Sequence, residues 1–161
     1  MYCLMCTLVV LTIAGTSHAV SPVYELCKDK NAGTAKVDEI SIDPCEDPKQ
    51  CVFNGGQKVS VKLSFTPTSR HEKITTEVYG MVQSPILGEI TVPAPSVGCR
   101  DACQKGCGVS CPLLPNKQQH LTLLFDVEKH WPQIEGRVGI QLKDSKTNEA
   151  LVCLSFNVKL S

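Results

Sequence analysis

Four cysteines at a spacing of four, Cys99, Cys103, Cys107 and Cys111, are the residues best placed to do chemistry. As thiolates they could surround one zinc ion. On a helix they would form one stripe, but Gly106, Gly108 and Pro112 argue against a helix there. As oxidised residues they would form disulfides. Ten cysteines in 161 residues favour the second reading, because that density belongs to an oxidising compartment. No metal site is expected.

Histidine is the usual general base, and His71, His120 and His130 are the candidates beyond the N-terminal segment. No H-E-x-x-H, G-x-S-x-G or nucleotide loop accompanies them. His71 lies in the polar turn Ser69-Arg70-His71-Glu72 and is expected in solvent. His130 precedes Trp131-Pro132 in a loop, and His120 opens a strand on the face opposite Leu121. A Ser-His-Asp triad joins residues far apart in sequence, so sequence alone does not test for one. The chain is read as a non-enzyme with no catalytic residue and no cofactor.

Sixteen Lys and Arg balance sixteen Asp and Glu, which excludes a nucleic-acid binder that works by neutralising phosphates. Hydrophobic residues make up 42% and aromatics only 5%, enough apolar side chain for one core. Residues 1–19 lack Asp, Glu, Lys and Arg, carry the apolar run Leu8 to Ile13, and end in Ser17-His18-Ala19. This reads as a signal peptide cut after Ala19, leaving one secreted domain over 20–161. Cleavage would remove Cys3 and Cys6 and leave eight cysteines, an even number.

The elements that must position these residues are strands. Val59, Val61, Leu63 and Phe65 alternate with polar residues. Leu121, Leu123, Phe125 and Val127 share one parity, as do Val138, Ile140 and Leu142, and Val152 to Leu160. Shorter candidates span 36–42, 73–83 and 86–92. Each alternating run has one buried and one wet face. Asp144 to Asn148 reads as the turn joining the last two strands. Seven or eight antiparallel strands at this length give an all-β sandwich. The inner parities hold no charge and few large rings, so a gap between the sheets would be dry and could hold hydrocarbon.

Three groups of residues carry a family resemblance. Ile42-Asp43-Pro44-Cys45, Cys51 and Gly56-Gln57-Lys58-Val59 form the first. Val92-Pro93-Ala94-Pro95, Gly98-Cys99 and Cys111-Pro112-Leu113 form the second. Trp131-Pro132-Gln133-Ile134, the 138–143 strand and Leu151-Val152-Cys153-Leu154 form the third. In this order they resemble the ML domain, the MD-two-related lipid-recognition family, over residues 24–160. Within it they resemble the Niemann-Pick type C type-2 sterol carriers and group 2 mite allergens.

The resemblance implies an immunoglobulin-like sandwich whose sheets splay to admit a lipid. It implies bridges Cys27–Cys153, Cys45–Cys51 and Cys99–Cys111, with Cys103 and Cys107 paired inside the last. It places Ile90, Val127 and Trp131 at the mouth, and the inner stripes add Val61, Leu63, Phe125, Val138 and Ile140 to the lipid-binding set. The expected function is a monomeric, secreted or endolysosomal carrier of a cholesterol-like sterol, docking on a membrane or receptor for transfer. The rival expectation is innate-immune recognition of a lipopolysaccharide-like microbial lipid, which would need a basic rim at the mouth. The lysines here are scattered.

Overall fold

The computed structural model describes residues 19–28, 32–94 and 97–161. The leader expected over 1–19, with Cys3 and Cys6, lies outside these residues except for Ala19. The described residues form nine strands and no helix: β1 Tyr24–Leu26, β2 Lys36–Asp43, β3 Cys51–Phe53, β4 Lys58–Thr66, β5 Ile74–Ser84, β6 Gly88–Pro93, β7 Gln119–Asp126, β8 Glu135–Asp144 and β9 Ala150–Leu160. They make the two sheets of an immunoglobulin-like sandwich. One sheet runs β2-β4-β7; the other runs β1-β9-β8-β5-β6, with β3 added to β9.

The strand count exceeds the expectation because β1 and β3 are three-residue strands that share one edge of β9. β3 pairs parallel with β9, so the pairing is not wholly antiparallel. β4 and β7 follow their hydrophobic alternation, whereas β9, expected to have one wet face, is buried on both from Ala150 to Phe156. In β4, Val59, Val61, Leu63 and Phe65 are buried, and Val61 and Leu63 face Leu123 and Leu121 of β7. On the other sheet Ile140 lies between Val78 of β5 and Leu154 of β9. Each such side chain contributes about 1.5–3 kcal/mol when fully buried. The turn after β8 is built by Asp144, whose Oδ1 accepts the N–H groups of Lys146 and Thr147 at 2.8 and 2.9 Å.

Disulfides join Cys27 to Cys153 and Cys45 to Cys51. The pairing expected in the 99–111 loop is corrected. Cys99 bonds Cys107 and Cys103 bonds Cys111, so the bridges interlace rather than nest. Gly106 and Gly108, on either side of Cys107, take φ of 97° and 93°, a backbone that glycine adopts without strain. The Cys107 carbonyl then accepts the N–H of Thr122, and the residue is buried against the core.

His71 also departs from expectation. It is 4% exposed, not solvated, and its main chain exchanges two hydrogen bonds with Leu113. The reason is a partner 73 residues away: Nδ1 lies 2.8 Å from Asp144 Oδ2. His120 is exposed on β7, with Nδ1 2.9 Å from Ser64 Oγ.

Candidate lipid-binding site

At the Ile140 level the sandwich is closed; two residues further along β8, at Val138, it opens. The β5 partner of Val138 is Gly80, which has no side chain to fill the space. A cavity of about 480 Å³ begins there. Val78, Gly80 and Val82 of β5, Val92 of β6, Gly136 and Val138 of β8 and Val158 and Leu160 of β9 line one wall. Phe53 of β3, Phe125 of β7 and Trp131, Pro132 and Ile134 of the β7–β8 connection line the rest, with Ala94 and Val97. Phe53 and Phe125 meet edge to face with ring centroids 6.1 Å apart.

The wall is almost wholly apolar. Arg137 is its one charged residue. By strand alternation its side chain leaves the opposite face to Gly136 and Val138. There the guanidinium donates to Glu25 Oε2 at 2.7 Å and to Ser155 Oγ. Tyr79 turns outward likewise, and burial raises its phenol above the ordinary value. Nothing ionised therefore competes with hydrocarbon inside.

Of the eight expected lipid-binding residues, Phe125, Trp131 and Val138 are brought together in this wall. Ile90 faces Val82 across β5–β6 and shares the inner parity of Val92, but it is 36% exposed and outside the wall. Val61, Leu63, Val127 and Ile140 belong to the closed core, each 1–2% exposed, and do not line the cavity. Val127 is displaced from the expected mouth because its main chain is tied beneath the 54–57 turn. Its N–H donates to the Gln57 carbonyl and its own carbonyl accepts from Gly56. The sequence reading missed Val78, Gly80, Val82, Val158 and Leu160. Val158 and Leu160 continue the stripe of β9, and Gly80 sits between two valines of its own parity; those were the available signals.

The family model described as the ML domain matches residues 21–160. The ecdysteroid-regulated 16 kDa protein of Manduca sexta is 33% identical, over 92% of this chain and 97% of the relative. The NPC intracellular cholesterol transporter 2 of Mus musculus is 29% identical, over 98% and 97%. Among solved structures, a Niemann-Pick type C2 protein from the Japanese carpenter ant superposes with a TM-score of 0.72 at 25% identity. It covers 86% of this chain and 99% of the ant protein. Sequence, fold and cavity agree, and the chain belongs to the ML-domain family.

Proposed function

We propose that this protein is a secreted or endolysosomal lipid carrier whose cargo is a sterol. The observation that carries the reading is the apolar cavity of about 480 Å³ between the sheets. Its wall is apolar, so a hydrocarbon ligand that fills it is removed from water. Its size falls in the range of sites for small rigid ligands. A sterol of ~28 heavy atoms at ~0.3 kcal/mol per atom would bind at about −8 kcal/mol, near micromolar. The cholesterol transporter name of the mouse relative supports sterol over other lipids. Four disulfides support an oxidising compartment. The one charged residue among the described residues of the wall is paired with Glu25, so the wall itself offers no free cation to a phosphorylated microbial lipid.

Transfer requires the cavity end to meet a membrane or a receptor. Beyond Val82 and Val92 the β5–β6 turn presents Ile86 and Leu87, 89% and 75% exposed. That pair is the docking element of this reading. Native mass spectrometry of the secreted protein, with lipid extraction, tests the cargo. One sterol per chain is expected; a bound acyl lipid without sterol would overturn the assignment.

A further inference from the structure

The loop 67–73 at the far end of the sandwich holds a second constellation. Ser69 Oγ lies 2.9 Å from His71 Nε2, and His71 Nδ1 lies 2.8 Å from Asp144 Oδ2. The last residue of β8 thus meets the β4–β5 loop through a buried imidazole. Asp144 is fixed by the N–H groups of Lys146 and Thr147 on its other oxygen. Those main-chain bonds, with help from His71, hold its carboxyl down at about 2 against the effect of burial. An ionised carboxylate only accepts, so Nδ1 carries the hydrogen toward Asp144 while Nε2 faces the Ser69 hydroxyl. His71 is held in place by its paired main-chain bonds to Leu113. Ser69 itself is exposed, while His71 and Asp144 are buried, only 4% and 7% exposed.

This is the arrangement of an activated serine: nucleophile on Nε2, orienting carboxylate on Nδ1. A structural histidine needs both nitrogens satisfied but does not need an exposed hydroxyl on one of them. We infer that Ser69 is a nucleophile toward small activated esters, with His71 as its general base and Asp144 as the residue that orients the imidazole. Ser69 Oγ bonds to the acyl carbon and its proton passes to Nε2. The ester C–O bond breaks, and the leaving alcohol takes that proton. Water then attacks the acyl carbon and gives a proton to Nε2; the acyl C–Oγ bond breaks, Ser69 Oγ takes that proton back, and the acid is released. Small esters suit the site because Ser69 is open to solvent. Ile74, at this end of β5, and Val82, at the cavity, are separated by roughly 26 Å of strand, so the inference stands apart from the carrier reading.

The test is a fluorophosphonate, whose phosphorus accepts the serine oxygen as fluoride leaves, applied to the folded protein and read by intact mass and peptide mapping. One adduct on Ser69 is expected. It is absent in Ser69→Ala, and in Asp144→Asn it forms about tenfold more slowly or less. Ser69 is exposed, so its alanine variant decides the matter even where Asp144→Asn does not fold. No adduct, an adduct elsewhere that survives in Ser69→Ala, or labelling no faster than in urea-unfolded protein would overturn the inference.

Discussion

The ring of Tyr79 lies over Gly139, its register partner across β5–β8, so closely that a Cβ at Gly139 would overlap the ring. The hydroxyl reaches to 3.8 Å from Cys153 Sγ. On the opposite face of the same β5 segment, Val78 and Gly80 line the cavity. The glycine therefore lets an outward aromatic clamp the strand that forms the inner wall.

Gly139→Ala is expected to push the ring out. Overpacking of this kind costs about 1–3 kcal/mol, which lowers the melting temperature by roughly 3–8 °C. The Tyr79 phenol, raised by burial, should titrate closer to its ordinary value in the variant. Ultraviolet titration and thermal melts check both; an unshifted titration would show the ring undisturbed.

Asp144 links stability to acidity. Its carboxyl ionises at about 2 in the fold against 3.8 ordinarily. The folded value is the lower one, so the contribution is complete above the unfolded value and is lost as pH falls through the folded one. It amounts to about 2 kcal/mol. Asp144→Asn should therefore be less stable than wild type at pH 5 in urea unfolding, with the gap closing toward pH 2. A gap that widens on acidification would contradict the assignment.

The interlaced bridges are open to a thiol count. Replacing Cys99 and Cys107 together by serine leaves the Cys103–Cys111 bridge intact. Labelling of the denatured, unreduced variant should find no free thiol. Two labelled thiols per chain would restore the nested pairing.

Ile86 and Leu87 should matter for transfer and not for binding. With both changed to Asp, sterol affinity stays at the wild-type value, while transfer to phosphatidylcholine vesicles slows by about tenfold because apolar contact with the membrane is lost. Equal transfer rates would place docking elsewhere on the surface.

β4 and β7 were legible because one wet and one dry face write themselves into the residue order, whereas in β9 the polar parity is buried too and only the apolar stripe could be read. The depth of each inner residue was not. Val61 and Phe125 share the same kind of stripe, yet one is closed core and the other cavity wall, because parity carries no information on where two sheets diverge. Gly80 was overlooked for a related reason: its contribution is a missing side chain. His71 looked solvated among polar neighbours because the carboxylate that buries it is brought in from β8. The loop cysteines could not be paired by spacing, since the path of the loop, with Cys99, Gly106 and Gly108 at positive φ, is not written in the intervals between them.

The most direct test of the carrier reading is to fill the cavity from Gly80. The backbone there is not left-handed, and the nearest heavy atom to an added Cβ is the Val92 carbonyl oxygen at 3.8 Å, so a leucine side chain has room only in the cavity itself. Titration of Gly80→Leu with a fluorescent sterol, alongside a thermal melt, is the measurement. The account predicts a melting temperature no lower than wild type and an affinity weaker by about tenfold or more, since lost cavity volume excludes part of the ligand. Wild-type sterol affinity in a folded Gly80→Leu protein would contradict it.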